Sequence, residues 1–153
     1  AHDRRCIFGN VDDDAVRLSE PGELVARWWN AIPSKFQDVE TDSFVIMPNH
    51  IHGVLWIIDQ RDWREDINVA GTTLPRIMQW FKTMSANEFL RAAKRAQRQG
   101  GPLWQRSYWD RVIRNDQSLH DIRRYIDDNP RKWAEDEENP ANRSRPNQPS
   151  RRP

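Results

Sequence analysis

The segment from Asp42 to Ile58 limits the folds open to this chain more than any other. It reads Asp-Ser-Phe-Val-Ile-Met-Pro-Asn-His-Ile-His-Gly-Val-Leu-Trp-Ile-Ile, rich in β-branched and aromatic residues and interrupted once, at Pro48-Asn49. This pattern predicts a β-hairpin. Both strands are apolar on both faces, which is typical of central strands in a sheet that helices cover.

Three amphipathic helices are predicted around this hairpin. The first spans Pro21 to Phe36, the second begins at Pro75, and the third runs from Ser118 to about Asp128, each with apolar residues at helical spacing. Trp104 to Ile113 is predicted as a further strand. The order helix, strand, strand, helix, strand, helix indicates an α+β fold in which helices cover a sheet.

Composition separates one folded domain from a tail. The chain has 153 residues and eight tryptophans, and large aromatic rings have little reason to accumulate in a solvated coil. Residues 139–153 contain one alanine and otherwise only polar residues and prolines. Four of the polar residues are arginines. We predict a domain over residues 1–138 and a disordered basic Pro/Arg tail over residues 139–153.

Several classes of protein are excluded by the sequence. The longest apolar run is far shorter than the about 20 residues that span a bilayer, so a membrane-spanning protein is excluded. The single cysteine, Cys6, excludes an internal disulfide and a cysteine-rich zinc module. The chain begins at Ala1 without an initiator Met or a secretory signal, so we expect it to be the interior of a longer reading frame. These features favour the cytoplasm.

Charge is distributed unevenly along the chain. The formal net charge is +1, yet residues 76–114 hold nine basic residues against two acidic ones, a balance of +7. Most of the basic residues are arginine, whose planar guanidinium suits phosphate oxygens and stacks on bases. This segment predicts a surface for DNA or RNA, although arginine excess also follows from genomic base composition. The candidate DNA-binding residues are Lys82, Arg91, Lys94, Arg98, Trp104, Arg106 and Arg114.

His50-Ile51-His52, on the second predicted strand, is the first candidate chemical site. Side chains alternate along a strand, so both imidazoles project from one face, an arrangement that suits two ligands of one metal ion. A chance pair or a satisfied structural pair has the same spacing. Imidazoles on an apolar strand need a partner, which a metal ion or a phosphate would provide.

Tyr125 and Asn129, near the end of the last helix, form the second candidate site. They are four residues apart and therefore share one helix face. One interpretation is an amphipathic tyrosine with Asn129 as a helix cap before Pro130. The other is that Tyr125 is a nucleophile, which requires a nearby cation because a phenol with a pKa near 10 is otherwise unreactive.

Five short motifs follow one another in a fixed order along the chain. They are Met47-Pro48-Asn49-His50-Ile51-His52-Gly53, Phe81-Lys82, Trp104-Gln105-Arg106-Ser107-Tyr108, Val112-Ile113-Arg114-Asn115, and Tyr125-Ile126-Asp127-Asp128-Asn129-Pro130 with Trp133. Together they resemble the signature of the REP-associated tyrosine transposases, members of the single-tyrosine HUH transposase superfamily. The resemblance extends from about Asp3 to Asn139.

The resemblance implies a ferredoxin-like antiparallel sheet covered by helices, and an enzyme that nicks and rejoins single-stranded DNA through a 5′-phosphotyrosine. It implies that Tyr125 is the nucleophile and that His50, His52 and Asn129 bind one divalent cation, Mg²⁺ or Mn²⁺. The implied partner is single-stranded or hairpin DNA of the repetitive extragenic or insertion-sequence type, in the nucleoid. Either a homodimer or a monomer is consistent with the sequence.

One departure from the family pattern affects the expected activity. Family members have a further strand before the segment Arg4 to Gly9, and this strand is missing here, so we expect an unpaired inner edge and a fragment or a decayed copy. Two other functions stay open. One is a DNA-hairpin-binding protein without cleavage; the other is a different metal hydrolase that uses carboxylates such as Asp127 or Asp128.

Overall fold

The computed structural model describes residues 1–58 and 71–142. Its antiparallel hairpins and helices make it an α+β protein, as the sequence predicts. In chain order they are β1 (Gly9–Asp12), β2 (Ala15–Leu18), α1 (Glu20–Asn30), α2 (Ile32–Lys35), β3 (Val39–Ile46), β4 (Ile51–Ile57), α3 (Leu74–Arg95) and α4 (Asp116–Lys132), with short 3-10 helices at His2–Arg4, Trp133–Glu135 and Pro140–Asn142.

The predicted central hairpin is confirmed as β3 and β4, which pair antiparallel with Val45 opposite His52. The turn between the strands contains Pro48 and Asn49, both buried. A register shift between Thr41 and Phe44 marks a bulge in β3. Helices pack on both faces of the hairpin, as the apolar character of both faces predicts.

The first face of the hairpin carries α1 and α3. Trp29 of α1 stacks on Phe44 of β3, with ring centroids 5.7 Å apart, and meets the edge of Phe81 from α3. Gly53 of β4 makes this approach feasible, because a Cβ there would lie 2.4 Å from the Trp29 ring. The main hydrophobic core is therefore an aromatic layer on this face.

The second face carries α4. Val54 of β4 packs with Leu119 and Ile126 of the helix, and Val45 lies against the same cluster. His52 lies two residues before Val54 and therefore points to the same side of the strand. Helix α4 thus covers the face from which His52 projects.

Local sequence signals explain where these helices begin and end. The Ser19 side chain accepts a hydrogen bond from the backbone of Gly22 at the start of α1, and Asn115 does the same for Ser118 in α4. The predicted helix over residues 21–36 is split into α1 and α2 at Ala31, because Pro33 has no N–H to donate to the preceding turn.

The hairpin β1–β2 was not predicted. Its turn is formed by Asp13 and Asp14, whose φ values of 48° and 61° lie in the left-handed region. A two-residue turn with both φ values positive suits the twist of an antiparallel hairpin, and aspartate tolerates that conformation better than most residues. The three consecutive aspartates, Asp12 to Asp14, are the sequence feature that indicates this turn.

The sheet differs from the expected one in extent. Within residues 1–58 and 71–142 the strands form two separate two-stranded antiparallel sheets, and a continuous ferredoxin-like sheet is not formed. The prediction of a strand over residues 104–113 is wrong, since this segment pairs with neither hairpin. An alternating or aromatic pattern becomes a strand only where a neighbouring strand supplies backbone partners.

The structure describes four residues beyond the predicted domain boundary. Pro140–Asn142 form a 3-10 helix, and the side chains of Asn139 and Asn142 donate to the backbone carbonyls of Trp133 and Ala134. Residues 143–153, most of the predicted tail, lie outside the described residues.

Candidate active site

Helix α4 brings Tyr125 to the histidine pair. The rings of His52 and Tyr125 meet edge to face, with centroids 5.3 Å apart and an interplanar angle of 80°. His50 lies immediately before β4, and its ring meets that of His52 at a centroid separation of 4.7 Å. Two segments that are more than 70 residues apart in the chain thus form one cluster. Tyr125 is 47% exposed and accessible to a substrate.

The two imidazoles point their Nε2 atoms at each other, 3.0 Å apart. Two donors that bind one ion at about 2.1 Å and at a right angle to each other are also separated by about 3.0 Å. The pair therefore fits adjacent positions around one octahedral cation. In the absence of an ion, one imidazole donates its Nε2 proton to the other.

Burial keeps both imidazoles neutral. Burial, and secondarily the repulsion that a protonated His52 would exert, lowers the pKa of His50 to about 3. Burial also lowers the pKa of His52, against the carboxylate of Asp136, which raises it. A neutral imidazole has a lone pair on one ring nitrogen, which is the form that binds metal ions.

Asp136 is a member of the cluster that the sequence analysis missed. Its Oδ2 lies 3.9 Å from His50 Nε2, and its side chain is largely buried. Its Oδ1 accepts a hydrogen bond from the backbone of Glu138, which fixes the turn after α4. Trp133 belongs to the same segment, and its ring centroid is 6.1 Å from that of His50. Its place in the last of the five motifs is the sequence feature that links this segment to the histidine pair.

Asn129 is buried one turn after Tyr125, and its Nδ2 donates to the Tyr125 backbone carbonyl at 2.7 Å. Nδ2 is thereby engaged, and no residue in the described ranges donates a hydrogen bond to Oδ1. Within residues 1–58 and 71–142 no three His, Cys, Asp or Glu side chains could hold a metal ion together. An amide oxygen such as that of Asn129 is a further donor type that Mg²⁺ and Mn²⁺ accept.

An ion pair that the sequence did not reveal fixes α4 to the hairpin. Arg123 donates from Nε and from Nη2 to the two carboxylate oxygens of Asp42 in β3, at 2.9 and 2.5 Å. Trp56 Nε1 donates to the same carboxylate at 2.8 Å. The Arg123 guanidinium holds the pKa of Asp42 well below its usual range. Arg123 is two residues before Tyr125, so this contact joins α4 to β3 close to the tyrosine.

The basic residues of α3, and Arg98 just after it, lie on the opposite side of the hairpin from Tyr125. Arg91 and Lys94 are exposed, and Arg98 pairs with Glu20 at 2.9 Å. Lys82 binds the protein itself: its Nζ donates to the backbone carbonyls of residues 105–107 at 2.8 to 3.2 Å. The basic segment therefore contains exposed residues such as Arg91 and Lys94, and one lysine, Lys82, that binds the loop at residues 105–107.

Trp104, one of the DNA-binding candidates, is half-buried and packs against the main core. Its ring lies 5.2 Å from Phe8 and 5.4 Å from Phe81, and its Nε1 donates to Ser85 Oγ at 2.8 Å. Residues 104–113 form no strand, so the side chains of this loop do not alternate between two faces of a sheet. Trp109, in the same loop, is 81% exposed.

Arg106 and Arg114 are exposed on the segment between α3 and α4. Ile113 packs against the Val54 cluster, and Arg114 directly precedes Asn115, the N-cap of α4. Arg114 therefore lies in the same layer as Tyr125.

None of the helices described here is both long and apolar enough to cross a membrane.

Comparison with known proteins gives one family match. Residues 34–129 match the family described as "Transposase IS200 like". The chain is also similar to a protein of Haemophilus influenzae (strain ATCC 51907 / DSM 11121 / KW20 / Rd) described as an uncharacterized protein, with 32% identity over 143 residues that cover 88% of this chain and 78% of the relative. No solved structure matches. The family match contains His50, His52, Tyr125 and Asn129.

Proposed function

The chain belongs to the IS200-like transposase family, and we propose that it nicks and rejoins single-stranded DNA through a covalent bond to Tyr125. Membership of a transposase family implies that the chain binds and processes DNA. The observation that supports the specific chemistry is the contact of the Tyr125 ring with the His50–His52 pair. A nucleophile needs an electrophile held within reach, and in this cluster the Tyr125 ring lies beside two imidazoles whose nitrogens are of the type that binds metal ions.

We propose that His50, His52 and Asn129 hold one divalent cation, Mg²⁺ or Mn²⁺. The neutral imidazoles and their 3.0 Å separation fit such an ion. When bound, it polarises the scissile phosphate and offsets the negative charge that develops there.

Tyr125 carries the reaction itself. Its Oη attacks phosphorus, a P–O bond forms to the tyrosine, and the bond from phosphorus to the 3′-oxygen breaks. The phenolic proton passes to solvent, and the leaving oxygen becomes a free 3′-OH. The 5′-phosphotyrosine conserves the bond energy, so attack by another 3′-OH rejoins strands without ATP and releases the tyrosine.

The proposed DNA is a hairpin of the repetitive extragenic or insertion-sequence type with a single-stranded flank. Arg114, in the layer of Tyr125, suits the flank, and the exposed arginines of α3 suit the phosphates of the stem. The proposal applies equally to a monomer and to a homodimer, because each chain contains the cluster.

The test is nicking of a pool of labelled DNA hairpins with randomised single-stranded flanks, in Mg²⁺ and in Mn²⁺. We expect the native chain to nick, and Tyr125→Phe and His52→Ala to lose nicking while hairpin affinity stays within a few-fold, because phosphate contacts dominate binding. Binding without nicking by the native chain would indicate a non-catalytic DNA-binding protein. Nicking by Tyr125→Phe would indicate a metal hydrolase.

A further inference from the structure

Asn49, in the turn between β3 and β4, is buried to 2% exposure directly before His50. The turn around it is held by backbone hydrogen bonds: Met47 donates to the His50 carbonyl at 2.8 Å, and Phe8 donates to the Pro48 carbonyl at 2.9 Å. A buried amide needs partners for both its nitrogen and its oxygen. The partners of Asn49 identify its role.

The orientation of the Asn49 amide is fixed by its nitrogen. Nδ2 donates to the backbone carbonyl of Arg4 at 3.0 Å and to that of Glu138 at 2.7 Å. The opposite orientation would place Oδ1 against two carbonyl oxygens with no proton between them. The nitrogen therefore faces the carbonyls, and Oδ1 faces His50.

This orientation determines which nitrogen of His50 is protonated. Asn49 Oδ1 lies 2.8 Å from His50 Nδ1. A carbonyl oxygen can only accept, so Nδ1 carries the proton of the neutral ring. The lone pair is then on Nε2, the atom that faces His52 Nε2 at 3.0 Å.

We propose that Asn49 is a positioning residue that holds His50 in the tautomer with its lone pair on Nε2. The same amide joins the N-terminal segment at Arg4 to the segment at Glu138, which also carries Asp136, so the tautomer depends on the docking of both. The catalytic meaning of this inference rests on the proposed function, in which His50 is a metal ligand. The tautomer assignment itself does not require a metal.

The test is long-range ¹H–¹⁵N NMR of the metal-free chain labelled at histidine, at pH 7.5, with the His50 signals identified by their absence in His50→Gln. We expect native His50 to carry its proton on Nδ1, and Asn49→Ala to transfer much of it to Nε2. Asn139→Ala is the matched control: Asn139 also bridges backbone groups, at Trp133 and Ala141, but does not contact His50. We expect no change of tautomer in that control.

Asn49→Asp separates positioning from simple structural support. It keeps an oxygen acceptor for Nδ1 but loses both donations to the carbonyls. We expect Nδ1 to stay protonated while thermal stability falls, and this variant decides the matter if Asn49→Ala does not fold. A proton on Nε2 in the native chain, an unchanged tautomer in folded Asn49→Ala, or an unprotonated Nδ1 in Asn49→Asp would each overturn the proposal.

Binding of Mn²⁺, followed by electron paramagnetic resonance, distinguishes failure of this inference from failure of the proposed function. We expect Asn49→Ala to weaken Mn²⁺ binding about 10- to 100-fold, as loss of a group that orients a ligand does, and Asn139→Ala to leave it unchanged. A native chain with the expected tautomer but no Mn²⁺ binding would refute the metal site and leave the tautomer assignment intact. Equal Mn²⁺ binding by the native chain and Asn49→Ala would refute the positioning role alone.

Discussion

The two faces of the β3–β4 hairpin bury different kinds of residue. On the α1 and α3 face, Trp29, Phe44 and Phe81 form part of an extensive aromatic core. On the α4 face, the buried apolar cluster described here consists of Val54, Leu119 and Ile126. The polar groups of the candidate active site lie on this second face.

The two faces differ in what they contribute: the first supplies most of the stability, and the second holds the polar groups of the candidate site. Aromatic side chains bury large apolar areas, so the first face supplies most of the hydrophobic stabilisation. The second face buries less apolar surface and depends more on polar contacts, among them the Arg123–Asp42 pair. The polar groups of the candidate active site can be placed there because the fold does not rely on that face for its main core.

Phe81→Ala should have the largest effect on stability. Phe81 is fully buried in the aromatic core, and removal of a buried phenylalanine ring costs about 3–5 kcal/mol. Urea unfolding measures the change. Leu90→Ala, on the same helix but 46% exposed, is the control and should change stability by no more than about 0.5 kcal/mol. Equal losses in the two variants would contradict the assignment of the main core to this face.

Ile126→Ala should lower the free energy of unfolding less than Phe81→Ala does, but should also reduce nicking. Ile126 is buried in the smaller cluster, and we expect a loss of about 2–3 kcal/mol, near the lower end for such a substitution. Because Ile126 follows Tyr125 directly and docks α4, nicking should fall even in the folded fraction. Parallel urea unfolding and nicking assays test this. A folded variant with native nicking would show that the docking of α4 does not position the tyrosine.

Asp42→Asn should destabilise the protein more at neutral pH than in acid. The pKa of Asp42 is lower in the folded chain than the usual value near 3.9, so its carboxylate stabilises the fold above about pH 4 and loses that effect as the pH falls further. The stability difference between the native chain and the variant should therefore shrink from pH 7 to pH 3 in urea unfolding. Asp121→Asn, in an exposed pair with Arg124, should show little difference at either pH. A constant difference for Asp42→Asn would refute the ion-pair role.

Replacement of Arg91, Lys94 and Arg98 by glutamine should have the smallest effect on stability and on the nicking rate, and should change only the salt dependence of DNA binding. If each touches a duplex phosphate, the slope of log affinity against log salt falls by about 0.9 per contact, or roughly 2–3 in total. The nicking rate at saturating DNA should not change, because these residues lie across the hairpin from Tyr125. In Lys82→Gln the slope should stay native, since Lys82 already binds three carbonyl oxygens. An unchanged slope in the triple variant would exclude this face from DNA binding.

The features that the sequence predicted correctly are those encoded locally. The hairpin around Pro48-Asn49 and the capped helix after Asn115 depend on residues within a few positions of one another. The interruption at Pro33 is local too, although helical periodicity across residues 21–36 concealed it. Local signals also brought Tyr125 and the His pair into consideration as separate motifs.

The features that the sequence did not reveal depend on distant partners. Arg123 and Asp42 are 81 residues apart, and nothing near either residue indicates the pair. Asp136 reaches His50 only because the chain turns back after α4. Residues 104–113 resemble a strand but pair with no strand in the described structure, so pattern alone led to the wrong prediction.

The most direct measurement of the proposed chemistry is the capture of the covalent intermediate. The chain is incubated with Mn²⁺ and hairpin DNAs with randomised flanks that carry different fluorophores at the 3′ and 5′ ends, and the denatured protein is then separated and digested for mass spectrometry. We expect the 3′ fluorophore to stay with the protein, on the peptide that contains Tyr125, and the 5′ fluorophore to leave on a fragment with a free 3′-OH. Cleavage without an adduct, or an adduct on Tyr108, would contradict the assignment of Tyr125 as the nucleophile.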